Sequence, residues 1–383
     1  MTSVHPALTP EHEAMRETMR RFVAREIAPH ASAWDEAEEF PRALYRKAAQ
    51  AGLLGIGFPE QYGGTPADLF AHVILAEEIA LAGVGGVHAG LFSHQIGAPP
   101  IALAGSAELK ARVLPAVLAG EKISALAITE PVGGSDVARL RTSARRDGAD
   151  YVVNGEKTFI TSGLRADFYT VAVRTGGGGA SGVSLLLIER ERAGFTRTAL
   201  KKMGWWCSDT ATLHFDNVRV PAANLIGEEN AGFRIVMHNF NAERLGMAAA
   251  AVGFAQACLE DALAWARERE TFGRRLIEHQ AMRHKLVEMQ TRIHAARALV
   301  YDTAWKLEGA PRNAQLIAQL AMTKNFAAQV MQFCADAAVQ TLGGAGFMRG
   351  TRAERVYREA KVFSIGGGAE EIMKDLAAKQ LGW

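Results

Sequence analysis

The sequence predicts an α+β protein in three parts: an N-terminal α-helical domain (1–122), a small β barrel or sandwich domain (123–230), and a C-terminal α-helical bundle domain of the four-helix-bundle type (231–383). Three observations predict it. Apolar residues recur at helical spacing through the first hundred-odd positions. From Ile123 short β-rich runs alternate with turn signals. From Ala231 long, Ala-rich amphipathic stretches take over, the pattern of antiparallel helices in a bundle.

In chain order, Thr9-Pro10 is a helix start, a capping hydroxyl followed by a proline that needs no amide partner. Met15, Met19, Phe22, Val23 and Ile27 then give one apolar face, and Leu44, Tyr45 and Ala48 repeat the signal. The stretch 51–64 is apolar but rich in glycine and reads as a break. Helices follow at 69–81 and 108–118. Strands are expected at 123–129, 151–153, 158–160, 168–173, 183–188, 211–215 and 218–220, with Asn154-Gly155 as a hairpin turn and Gly176–Gly179 as a loop tip. Phe233, Val236, Met237, Phe240, Leu245 and Ala248 open a helix, and 280–307, 313–342 and 352–363 read as others.

The length is ample for a large core, and 49% hydrophobic against 22% charged residues describes an ordinary soluble chain. A net charge of +2 gives no strong field, so neither nucleic acid nor an anionic membrane is an expected partner. Cys207, Cys258 and Cys334 lack C-x-x-C spacing and read as reduced thiols, with no metal site. The first ten residues hold no apolar core of signal-peptide length, and no run reads as long enough to span a bilayer. A cytoplasmic protein is expected.

Six stretches carry chemistry. Ile128-Thr129-Glu130-Pro131-Val132-Gly133-Gly134-Ser135-Asp136 puts hydroxyls and amides at a strand end; read alone it is a Gly-Gly turn with a capping serine. Asn154-Gly155-Glu156-Lys157-Thr158-Phe159-Ile160-Thr161 reads alone as a strand. Lys201–Ala211, containing Trp205-Trp206, leads into Phe215–Pro221. Arg267–Gly273 is followed by Gln280, and Gln340-Thr341-Leu342-Gly343-Gly344-Ala345-Gly346-Phe347 resembles an ordinary helix C-cap when isolated. Near the C-terminus three glycines, Gly366-Gly367-Gly368, stand between two helical patterns. Together, in this order over roughly 9–381, they resemble the flavin-dependent acyl-CoA dehydrogenases.

The resemblance implies FAD. Leu126, Ile128, Thr129, Ser135, Phe159 and Thr161 would line its ring, with Thr129 at the pyrimidine edge, Phe159 over one face and Thr161 near N5. Arg269, Thr271, Phe272, Gln280, Gln340, Gly343 and Gly344 would take the pyrophosphate and adenosine part across a subunit boundary, which implies a homotetramer. Ala369 and Glu371 complete the set; Ala369 replaces the usual threonine and removes a hydroxyl. Ser135, Phe240, Arg244, Gly367 and Gly368 are the expected substrate contacts. Leu91, Phe92, His94, Gln95 and Ile96 would border the acyl pocket, with His88 and His94 as wall or core histidines.

Medium-chain members carry Tyr-Glu-Gly-Thr in the last loop, and that Glu takes the α-proton; the aligned position here is Gly367. Isovaleryl-CoA and some long-chain members place the Glu on the helix that opens the C-terminal domain, in Glu-Arg-Leu. This chain has Glu243-Arg244-Leu245. A lone Glu-Arg on a helix is often an ion pair on its surface, but its coincidence with glycine at the usual base position makes Glu243 the expected base, with the Gly367 amide holding the thioester carbonyl. Glu370 and Glu371 are the competing carboxylates. The expected reaction is dehydrogenation of an acyl-CoA, or acyl-carrier-protein thioester, to the trans-2-enoyl product, with electrons passed to an electron-transfer flavoprotein. Two alternatives stand beside it: a flavin oxidase or monooxygenase on the same fold, and a non-catalytic subunit of a hetero-oligomeric dehydrogenase.

Overall fold

A computed structural model describes residues 5–310 and 313–383; residues 1–4, part of the stretch read for a leader, lie outside it. The N-terminal part is helical: α1 (Pro10–Phe22), α2 (Ala31–Glu36), α3 (Ala43–Gln50), α4 (Leu69–Ala80), α5 (Gly85–Leu91), α6 (His94–Gly97), α7 (Pro99–Ala104) and α8 (Ala107–Leu118). Helix α1 begins at the expected cap: the Thr9 hydroxyl accepts the His12 amide while the His12 ring accepts the Thr9 amide. Helix α4 is buried almost all round, and its two acidic residues survive there because Arg16, Arg20, Arg297 and Tyr301 surround them.

The middle part is one hydrogen-bonded sheet of β1 (Ser124–Ala127), β2 (Ser143–Asp147), β3 (Asp150–Thr161), β4 (Phe168–Arg174), β5 (Val183–Glu189), β6 (Phe195–Ala199) and β7 (Thr210–Pro221). Its order is β1-β4-β2-β3-β7-β6, with β5 paired to β4. Strand β5 is apolar at successive positions because both its faces are covered. Leu186 and Ile188 join the core beneath β3 and β7, while Leu185 and Leu187 pack with Val113, Leu114 and Val117 of α8.

Asn154-Gly155 is not a hairpin turn. It lies inside the twelve-residue β3, where the register against β7 shifts between Val153 and Gly155. Glycine stands there for close approach, since a Cβ at 155 would fall 2.7 Å from the Thr142 Cα. The reversal comes at Gly148 instead, between β2 and β3 (Asp147 faces Asp150). Likewise 211–215 and 218–220 are one strand, β7, and the unexpected β2 and β6 carry exposed charged and hydroxyl residues that hide their alternation.

The C-terminal part contains α9 (Gly232–Glu268), the two-residue strands β8 (Glu270–Thr271) and β9 (Arg274–Arg275), α10 (Gln280–Gly309), α11 (Ala314–Leu342), α12 (Gly344–Phe347), α13 (Arg352–Phe363) and α14 (Glu370–Leu381). Helix α11 packs against α9, α10, α13 and α14; α9 also meets α4 and, at its start, β5, α6 and α7. By length and composition α9 is apolar enough to cross a membrane, contrary to the expectation that no run would be. Its apolar residues are those of a core helix, buried against α4, α10, α11 and α13.

Candidate active site

Strand β1 ends at Ala127, and the chain beyond it is held from below by a buried cation. Lys157 Nζ donates to the Ile128 carbonyl at 3.0 Å and to Glu130 Oε1 at 2.8 Å. Glu130 also accepts the Arg141 and Thr142 amides at 2.6 and 2.9 Å. Burial opposes its ionisation, but Lys157 and these amides outweigh it and hold the carboxyl below its ordinary value; burial pushes Lys157 down to about 8 against the pull of Glu130. Leu126 and Ile128 are buried, Thr129 gives its carbonyl to the Thr158 amide at 2.8 Å, and Ser135 stands exposed beyond the turn.

Phe159 sits at a second irregularity of β3, between Lys157 and Ile160, with φ +60°. A non-glycine residue pays for that conformation, and here it turns the aromatic ring outward, 69% exposed, two residues before the half-buried Thr161. Hydroxyls and amides at a strand end beside an outward aromatic suit a flat heteroaromatic group with a polar edge.

The glycine loop runs from the end of α13 to α14, closed by the Gly366 amide on the Val362 carbonyl (2.7 Å) and the Glu370 amide on the Ser364 carbonyl (3.0 Å). Gly367 and Gly368 have φ +65° and +108°, conformations that glycine alone takes without strain. Their carbonyls are anchored on two helices: Arg244 Nε of α9 donates to Gly367 O at 3.1 Å, and Lys324 Nζ of α11 donates to Gly368 O at 2.7 Å. The Arg244 guanidinium lies over the half-buried Phe240 ring at 5.7 Å.

Glu243 points at this loop. A Cβ built on Gly367 would stand 3.8 Å from Glu243 Oε1 and 2.6 Å from Met247 Sδ. Glu243 Oε2 is buried with no hydrogen-bond partner among the described residues. Burial pushes its carboxyl up to about 7, while Arg244 and Lys324 pull the other way. The competing carboxylates are placed differently. Glu370 is tied to Gln329 at 2.7 Å and Lys374 at 2.8 Å, and Glu371 is exposed on the first turn of α14 after Ala369.

The remaining expected residues stand elsewhere. Arg269 ends α9, Thr271 pairs with Arg274 across the Phe272-Gly273 turn, Phe272 is 97% exposed, and Gln280 opens α10. Gln340, Gly343 and Gly344 are exposed at the end of α11. These residues share the end of the bundle where α9 and α11 finish and α10 starts. Arg269 is 26 positions along α9 from Glu243, about 39 Å at the rise of an α-helix. One chain therefore brings Glu243, Arg244, Met247 and Lys324 to the glycine loop, while the Arg269–Gln340 group stands at the other end of α9.

Sequence reasoning missed Lys324; Met247, one turn on from Glu243, was expected to wall the site there. The available signal for Lys324 was a lone lysine on an Ala-rich helical face, with Ala321, Ala327 and Ala328 around it. His88 and His94 are core-type histidines: burial pushes both down to about 4, and His94 Nε2 meets the Leu54 carbonyl at 2.9 Å. The three cysteines are buried and unpaired, and among the described residues no three His, Cys, Asp or Glu side chains gather as metal ligands.

Comparison with known proteins matches three family profiles in succession: "Acyl-CoA dehydrogenase, N-terminal domain" at residues 9–121, "middle domain" at 125–218, and "C-terminal domain" at 230–382. The chain is 39% identical to an acyl-CoA dehydrogenase of Bacillus subtilis over 98% of both chains. Its structure is similar to the acyl-CoA dehydrogenase from Geobacillus kaustophilus (TM-score 0.92, 36% identity, 99% of this chain and 100% of that one). It is also similar to a glutaryl-CoA dehydrogenase from Mycobacterium smegmatis in complex with FADH2 (TM-score 0.91, 27% identity, 98% and 95%).

Proposed function

The chain belongs to the acyl-CoA dehydrogenase family, and from that premise we propose that it dehydrogenates an acyl-CoA thioester to the trans-2-enoyl product with Glu243 as the base. The observation that carries this reading is the Glu243 carboxylate: Oε1 reaches the space of a side chain at Gly367, and Oε2 is buried with no hydrogen-bond partner among the described residues. A carboxyl raised toward neutrality in a dry setting is matched to removing a weakly acidic proton. The Gly367 amide would receive the thioester carbonyl and the charge that develops on its oxygen. Arg244, on the Gly367 carbonyl, orients that peptide, and Ser135, Phe240 and Gly368 would flank the substrate.

FAD fits the donor set, and when bound it supplies the acceptor for the β-hydride. Leu126, Ile128, Thr129, Ser135, Phe159 and Thr161 would hold its ring, with Ala369 and Glu371 at the loop. Arg269, Thr271, Phe272, Gln280, Gln340, Gly343 and Gly344 would hold the adenosine diphosphate portion of a neighbouring subunit's FAD, since Arg269 stands about 39 Å along α9 from Glu243. That separation supports a homotetramer assembled around shared cofactors. An electron-transfer flavoprotein is the proposed electron acceptor, and domain boundaries near 122/123 and 230/231 accompany the reading.

Anaerobic titration of the purified flavoprotein with acyl-CoAs of different length and branching tests it. Bleaching by one class supports the dehydrogenase and names that class. A flavin that stays oxidised with every thioester overturns the reading.

A further inference from the structure

Lys324 is 1% exposed in the middle of α11, on a face otherwise made of Leu320, Ala321, Ala327 and Ala328. Burying an ammonium is costly unless something is gained from it, and its hydrogen bond goes to the backbone carbonyl of Gly368. We propose that Lys324 is a positioning residue of the active site: it anchors the glycine loop from α11 and supplies the positive charge that favours a thioester enolate beside Gly367. This rests on the thioester reading above.

Two features carry it. The first is geometric. Arg244 and Lys324 hold the carbonyls of successive residues from two different helices, so the backbone at Gly367 and Gly368 is fixed in its left-handed conformation and the Gly367 amide is fixed with it. The second is charge. Glu243, Arg244 and Lys324 leave one excess positive charge around the loop. When the α C–H bond breaks and an O–H bond forms on Glu243, the electron pair moves to the thioester oxygen. The negative charge passes from carboxylate to enolate, and both cations remain near it. Glu243 and Arg244 from α9 and Glu370 from α14 are the charged groups that act on Lys324; Glu370 is itself paired with Lys374.

Neighbouring bonds already tie the loop ends to α11. Asn325 Nδ2 donates to the Glu370 carbonyl at 2.9 Å, and Gln332 bonds the Ser364 hydroxyl. These bonds remain in Lys324→Met, so folding and the contribution of Lys324 can be separated.

The experiment uses the holoprotein and acetoacetyl-CoA, whose thioester ionises to an enolate with its own absorbance. The apparent pKa of the bound ligand is measured in wild type, Lys324→Met and Lys324→Arg, together with flavin content and ligand affinity. Wild type should lower the ligand's pKa. Lys324→Met should raise it by about one unit, ~10-fold less enolate at a given pH, with flavin retained, and Lys324→Arg should recover most of the shift. Equal ligand pKa in wild type and Lys324→Met overturns the proposal, as does a defect that Lys324→Arg shares in full. If wild type itself neither binds nor ionises the ligand, the thioester reading falls first.

Discussion

Glu243 Oε1 lies 3.8 Å from the point where a Cβ on Gly367 would stand. The two positions are 124 residues apart, yet a carboxylate from α9 and a side chain on the glycine loop would compete for the same space. There is room for one carboxylate at this place. In this chain α9 supplies that carboxylate, and Met247 fills the rest of the space a loop side chain would need.

Replacing Glu243 with Gln removes the proposed proton acceptor and keeps the shape. Flavin reduction by the best acyl-CoA should fall by roughly 100- to 10,000-fold, the range of a lost general base, with flavin content unchanged. Stopped-flow absorbance reads it, and a variant that reduces its flavin at nearly the wild-type rate would shift the role to Glu370 or Glu371.

With the Glu243 carboxyl pushed up to about 7, only the ionised form accepts a proton, so the reduction rate should climb as pH rises through about 7. Stability should move the other way. Between 4.5 and about 7 the folded protein keeps a proton on Glu243 that the unfolded chain has released, so this group makes stability fall across that window. Glu359, buried beside Asp35 and also raised to about 7 chiefly by burial, adds to the same slope. Urea midpoints taken across the window should decline more steeply in wild type than in Glu243→Gln.

Gly367→Ala places a Cβ 2.6 Å from Met247 Sδ at φ +65°. The left-handed backbone alone costs a non-glycine residue about 1–2 kcal/mol, and Met247 must move. Thermal unfolding should show a lower midpoint, and substrate-driven reduction should drop because the Gly367 amide shifts. An unchanged midpoint would mean that the loop relaxes freely.

Lys157→Met should be more damaging than its position in a strand suggests. It leaves Glu130 buried without its cation, a change of about 3–5 kcal/mol, and it releases the Ile128 carbonyl at the strand end. Denaturant unfolding measures the loss directly, and weaker flavin retention should accompany it.

Phe159→Gly separates folding from cofactor binding. Glycine relieves the φ +60° strain, worth about 1 kcal/mol or more, and the side chain it removes is mostly exposed. Stability of the flavin-free protein should hold or rise while flavin affinity falls. Lower stability in the flavin-free protein would show that the ring packs on its own chain.

The sequence by itself determined the three-part order, because helical and alternating apolar patterns differ in period wherever one face is buried. It determined the helix start at Thr9 and the boundaries of α13, because cap chemistry and apolar spacing are local, and a local motif singled out Glu243 as the proposed base. It misread Asn154-Gly155, because a glycine required by a neighbouring strand looks the same as one required by a turn. It passed over Lys324 for a similar reason: a lysine on a helix has no sequence mark that says whether it faces water or the glycine loop. Only the tertiary structure decided that Glu243 reaches the space at Gly367, that Arg244 and Lys324 grip successive carbonyls, and that Arg269 stands far from Glu243 at the other end of α9. Those are distances between residues remote in sequence. They arise when α9, α11 and the loop before α14 pack together, and burial at that junction, rather than residue type, brings the Glu243 carboxyl close to neutrality.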